Sequence, residues 1–166
     1  MKTKNIYSYP IDKENIIKII TKEAPAHKIW HSDKGVYDLT NAIDFLCNEG
    51  TPIKSALDGE VIDIVNNIKE NYNKKEPPSK KIMPEEKQDG NYIVIKHKNN
   101  EFSQYSHFGY KKIVTKKGKK IKEGELIGYS GNTGWSIKAH LHFLVFKFIK
   151  LGGKSFKSLN VSWRKT

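Results

Sequence analysis

The sequence predicts a mainly β protein: a small antiparallel sheet or sandwich core with a short N-terminal helix and a lysine-rich insertion. Three observations carry that expectation. After residue 25 the apolar residues fall in short runs, many of them β-branched, separated by glycine, asparagine and aspartate turns. Helical spacing is confined to the first 25 residues. The chain has 166 residues, 37% hydrophobic and 11% aromatic, which suits one core and is too little for two.

Taken in order, Ile16, Ile17, Ile19 and Ile20 are spaced for one face of a short helix over 13–23, stopped by Pro25. Residues 1–30 are therefore expected as a helical extension, and 31–166 as a single domain. A β-rich region begins at Val36. Residues 51–57 and 60–65 read as two strands of a hairpin turning at Asp58-Gly59. Between 66 and 89 the composition shifts to Asn, Lys, Glu and Pro, with Pro77-Pro78 at its centre, which reads as a surface insertion within the sheet and raises the question whether it gates a cleft. Strands resume over 91–97 and 101–107 across Lys98-Asn99-Asn100. A basic β-branched stretch follows over 111–122. The loop Gly131-Asn132-Thr133-Gly134 precedes a strand over 139–147, and a last strand covers 159–163. No internal repeat is visible.

Lysine and arginine number 30 against 18 acidic residues, a formal charge of +12, and Arg164 is the only arginine. Lysine is a hydrated point charge and lacks the planar fork that reads base edges and phosphates. The charge therefore fits either diffuse attraction to a polyanion or a merely soluble surface, and no nucleic acid partner is expected. Cys47 is the only cysteine, so an intramolecular disulfide and a thiolate metal cluster are excluded. No apolar run is long enough for a transmembrane segment, and no signal peptide follows the basic start Met1-Lys2-Thr3-Lys4.

The chemistry-bearing residues are few. His140 and His142 flank Leu141 in a strand pattern, so their imidazoles project to the same side. They can share a metal, or one can bind it while the other works on substrate. His107 sits at a strand end before Gly109. Asp44 stands between Ile43 and Phe45, where a partly buried carboxylate needs a cation or hydrogen-bond donors.

Read together, Gly50-Thr51-Pro52-Ile53, Asp58-Gly59-Glu60-Val61, residues 90–97, Tyr105-Ser106-His107, residues 124–134 and His140-Leu141-His142-Phe143 resemble, in this order, the lysostaphin/LytM-type zinc endopeptidases. The likeness runs from Ile43 to Phe146 and skips 66–89. It implies Zn2+ as cofactor, Asp44 and His142 as ligands, and His107 and His140 flanking the zinc-bound water as catalytic residues. It also implies peptidoglycan stem or cross-bridge peptides as substrate, and an extracellular, periplasmic or cell-wall-associated place of action. The family's usual first ligand, four residues before the aspartate, is here Thr40. His31 is chosen in its stead, because the resemblance extends to relatives that place this histidine earlier, before a glycine-containing loop leading into the aspartate strand, and a loop of that length closes at little entropic cost; His27 is the fallback. The alternative that Thr40 raises is an inactive family member acting as a wall-binding or regulatory module. His97 matches a position that is not a ligand and is read as structural.

Overall fold

The computed structural model describes residues 1–72, 87–150 and 153–165. Its strands are β1 (Lys2–Tyr7), β2 (Lys18–Ile20), β3 (Ile29–Ser32), β4 (Gly35–Asp38), β5 (Ile43–Leu46), β6 (Pro52–Lys54) and β7 (Gly59–Val65). They are followed by β8 (Asn91–Lys96), β9 (Phe102–Ile113), β10 (Lys120–Ile121), β11 (Leu126–Ser130), β12 (His140–Phe148), β13 (Phe156–Ser158) and β14 (Asn160–Trp163). The main path of the large sheet runs β10-β7-β8-β9-β12-β13-β4-β3, and β1 and β14 form a separate parallel pair. The mainly β expectation holds.

Strand β12 organises the sheet. One side pairs antiparallel with β9. On the other, residues His140 to Phe143 pair with β5, and Phe146 to Phe148 pair with β13. Side-chain alternation then sorts its residues. Leu141, Phe143 and Val145 enter the main buried cluster with Phe45 of β5, Tyr105 of β9 and Ile93 and Ile95 of β8. His140 and His142 face the other way, and so do Leu144 and Phe146, which join a second, smaller apolar layer with Val94 and Ala42. One strand thus supplies both the core and the floor of the opposite face.

Two expectations are corrected. The helix over 13–23 is absent: a single 3-10 turn, Lys13–Asn15, leads into β2. Strand β2 pairs antiparallel with β5, with Ile19 opposite Phe45 and Ile20 opposite Asp44. Four β-branched isoleucines fit a pleated edge as well as a helix face, and the open edge of β5 decides between them. Residues 1–30 also pack into the main body, with Tyr7 and Ile11 buried in its central cluster. The hairpin at Asp58-Gly59 is likewise absent. Strand β6 pairs with β11, while β7 pairs with β8 and β10. Gly59 is there for close approach, because a Cβ would fall on Ile95 and the Lys96 carbonyl of β8.

The pairing of β8 with β9 is as expected, from Tyr92↔Ser106 to Lys96↔Phe102. Its turn holds Asn99 and Asn100 at φ 61° and 53°, a conformation asparagine tolerates. Of the 66–89 insertion, residues 73–86, including Pro77-Pro78, lie outside the described residues, and with them the question of a gate over the cleft.

Candidate metal and catalytic centre

Strand pairing creates the centre. Asp44 of β5 lies directly opposite His142 of β12, and His142 lies opposite Ser106 of β9. Because Phe45 and Leu141 point into the core, Asp44 and His142 must point to the other face. There His142 Nδ1 is 2.8 Å from Asp44 Oδ1. Burial alone would raise the Asp44 carboxyl, but hydrogen bonds from His142 and His27, with the charges of His142 and His140, hold it far below the usual carboxylate range. The same pair raises His142 against the opposing effect of its own burial.

His27 completes the group from the N-terminal segment. Strand β2 runs beside β5 as far as Ile20, and a turn over residues 21–27, in which the His27 amide donates to the Ala24 carbonyl at 3.0 Å, swings His27 inward. Its Nδ1–H donates to the Thr21 carbonyl, and its Nε2 lies 3.1 Å from Asp44 Oδ1. One ligand atom from each of His27, Asp44 and His142 lies within 4.8 Å of the others, and all three residues are buried.

That arrangement fits a divalent cation. With Nδ1–H committed to Thr21, His27 turns Nε2 toward Asp44 Oδ1, where a bound cation would be shared by the imidazole and the carboxylate. Two imidazoles and one carboxylate form a donor set used by catalytic zinc, which retains an open fourth position.

Two further histidines stand beside the three. His140 Nδ1–H donates to the Lys138 carbonyl at 2.7 Å, leaving Nε2 facing the centre, 3.6 Å from Asp44 Oδ1. His107 Nδ1–H donates to the Thr133 carbonyl at 2.7 Å, and its ring centroid is 4.7 Å from that of His140. Burial holds both imidazoles below their ordinary value, and for His107 the neighbouring His140 and His142 push further down. His107 also carries φ 69°, a left-handed backbone that costs a non-glycine residue about 1–3 kcal/mol and concentrates at working sites. Its backbone is fixed from both sides, by the Asp89 carbonyl at 3.0 Å and the Gly131 amide at 2.9 Å.

Of the residues read from sequence, Asp44, His107, His140 and His142 come together. His31 does not: it is exposed on β3, opposite Val36 of β4, because the β3–β4 hairpin carries it away from β5. The fallback His27 lies beside Asp44 and His142. Thr40, at the position of the family's usual histidine, is bound to Asp38 through its hydroxyl at 2.6 Å. His97 is structural, held by the Asp58 carbonyl at 2.8 Å and the Ser103 hydroxyl at 2.7 Å. Cys47 is buried, and burial raises its thiol. The carbonyls of Thr21, Thr133 and Lys138, which fix three imidazoles, had no sequence signal, since every residue has a carbonyl.

The profile of Peptidase family M23 matches residues 38–156. The chain belongs to peptidase family M23. His27 lies outside the matched residues of this M23 chain, so the first member of its cluster comes from a segment that precedes the match. Among curated relatives, the chain is 36% identical to the peptidoglycan DD-endopeptidase ShyA of Vibrio cholerae over 103 residues, covering 62% of this chain and 19% of that protein. It is 31% identical to the glycyl-glycine endopeptidase ALE-1 of Staphylococcus capitis over 102 residues, covering 61% and 23%. The chain therefore spans about a fifth to a quarter of the length of these relatives. Among solved structures, a zinc-containing peptidase from Vibrio cholerae aligns with TM-score 0.56 and 30% identity over 85% of this chain and 36% of that one. The prophage-encoded M23 protein EnpA of Enterococcus faecalis shares the fold, with TM-score 0.60 and 20% identity over 92% and 93% of the two chains. Among the described residues no helix is long and apolar enough to cross a membrane.

Proposed function

We propose that this M23 chain is a zinc-dependent endopeptidase that hydrolyses peptide bonds in the stem or cross-bridge peptides of peptidoglycan. The observation that carries the proposal is the convergence of His27 Nε2 and His142 Nδ1 on one oxygen of Asp44, with His107 and His140 beside them. His27, Asp44 and His142 are the proposed ligands, His27 replacing His31. Zinc held there would supply Lewis-acid polarisation of the scissile carbonyl and a bound water of lowered pKa.

The remaining work falls to the chain's own side chains. His140, whose Nδ1–H is tied to Lys138, presents an unprotonated Nε2 toward the centre and takes the proton of the attacking water. The water oxygen bonds to the carbonyl carbon, the carbon–nitrogen bond breaks, and the proton passes to the departing amine. His107 stabilises the charge that develops on the carbonyl oxygen. Thr133 and Lys138 keep both rings from rotating.

The names of the relatives, a DD-endopeptidase and a glycyl-glycine endopeptidase, support peptidoglycan peptides as substrate and action outside the cytoplasm, in the periplasm or at the cell wall. The inactive-module reading rests on Thr40, and the place of His27 beside Asp44 weighs against it. Digestion of purified peptidoglycans of different bridge chemistry, with and without chelator, followed by mass analysis of the fragments, tests the proposal. New amino termini that appear only without chelator are expected; intact wall under both conditions would refute it.

A further inference from the structure

Positive charge is concentrated on one segment. Residues 111–122 contain seven lysines and no acidic residue, so this short stretch carries +7 of the formal +12. A surface that only keeps a chain soluble intersperses both signs. The segment is also fixed in place. It begins as the end of β9, and its Ile113 and Ile121 are buried in the main apolar cluster. Between them the Gly118 amide donates to the Val61 carbonyl at 2.7 Å, and the Val61 amide donates to the Lys119 carbonyl at 2.9 Å. Buried isoleucines hold the run, and all seven lysines around them are exposed.

Lys119 and Lys122 are paired with Glu125 at 2.5 Å and Asp58 at 3.1 Å. Among the described residues, Lys111, Lys112, Lys116, Lys117 and Lys120 form no ion pair, although Glu60 stands across from Lys120 on β7. The ammonium groups of Lys111 and Lys69 both sit by the Tyr110 ring, 5.3 and 4.8 Å from its centroid, which adds a cation from outside the segment. Gathering like charges costs stability through self-repulsion, and a bound polyanion offsets that cost. The side chains narrow the class of polyanion. Lysine meets phosphate as a point charge, without the fork that reads base edges. Binding of single-stranded nucleic acid adds open aromatic faces for base stacking, and Tyr110 already holds two cations. Docking on an anionic bilayer adds apolar side chains beside the charges, and Val114 is the single exposed aliphatic residue of the segment. We infer that this lysine surface binds a linear polymer of repeating alditol phosphates, holding the chain at a phosphate-bearing wall independently of its hydrolytic site.

The test measures binding of end-labelled poly(glycerol phosphate) to the full chain by fluorescence anisotropy at several salt concentrations. One variant replaces Lys111, Lys112, Lys116, Lys117 and Lys120 with glutamine. A second replaces five exposed lysines elsewhere, Lys2, Lys22, Lys96, Lys98 and Lys157, so both lose the same charge. Matching unfolding midpoints establish that each is folded. The first variant should bind at least about tenfold more weakly and with a flatter salt dependence, while the second stays within about twofold of the parent. Lys116→Gln with Lys117→Gln, confined to the turn, should give an intermediate loss. Equal weakening in the two five-site variants, or no binding by the parent, would overturn the inference. Tighter binding of oligothymidylate of equal phosphate number, or of phosphatidylglycerol vesicles, would also overturn it and assign the surface to nucleic acid or to membrane.

Discussion

His27 is held from behind by the Thr21 carbonyl and faces Asp44 Oδ1 at 3.1 Å, so its ring cannot rotate out of the centre without losing a buried hydrogen bond. In the proposed reaction the two histidines outside this cluster have separable roles. His140→Ala should lower kcat by about 10²–10⁴-fold, the span of one general base, and His107→Ala by about 10²–10³-fold, both with metal content unchanged. Hydrolysis assays paired with metal analysis check this, and loss of metal in either variant would make that histidine a ligand. Asp38 sets an acid limit of a different kind. Burial would raise its carboxyl, but hydrogen bonds from Thr40 and Ser158 outweigh burial and lower it. The stability it contributes is therefore complete above the unfolded carboxylate value of about 3.9 and is lost as pH falls through the lower folded value. Asp38→Asn should flatten the dependence of unfolding midpoint on pH below about 4, read by denaturant titration. At this scale Asp44, His107, His140 and His142 were legible because each sits inside a motif. His27 and His31 were not separable, because they precede Asp44 by 17 and 13 residues and loops of those lengths close at nearly equal cost.

Elements position these residues through backbone contacts that side-chain patterning does not announce. The loop after β11 must bring the Thr133 carbonyl to His107, and it does so by laying Gly134 against Gly90. Gly134 has φ 78°, and a Cβ there would fall on the Gly90 amide and the Gln88 carbonyl. Gly134→Ala should cost about 1–3 kcal/mol for the left-handed backbone alone. It should also lower kcat more than KM rises, because it displaces the group that orients His107. Strands β8, β9 and β12 were readable as short apolar and β-branched runs bounded by turn residues. Strand β2 was not, since four isoleucines in five residues satisfy a helix face and a sheet edge alike, and only the open side of β5 settles the matter. The supposed hairpin failed for a related reason: Asp58-Gly59 carries a turn dipeptide, yet its glycine is required by the approach of β8.

The molecule as a whole is closed by its N-terminal segment. Strand β1 pairs parallel with β14, and the fully buried Glu101 accepts hydrogen bonds from the Lys4 amide at 2.5 Å, the Asn5 amide at 3.2 Å and the Tyr7 hydroxyl at 3.1 Å. Glu101→Gln replaces a charged acceptor with an amide that must turn one end toward donors, and should lower stability by about 1–3 kcal/mol in chemical denaturation. The segment fastened in this way also delivers His27, so the cluster depends on residues that precede the M23 match. Metal stoichiometry tests that dependence most directly, by elemental analysis of the purified chain beside its His27→Ala and His31→Ala variants, each first shown to be folded. One zinc per chain in the parent and in His31→Ala, with loss of zinc in His27→Ala, is the predicted result. Stoichiometric zinc retained in His27→Ala, or zinc lost in His31→Ala, would contradict the account.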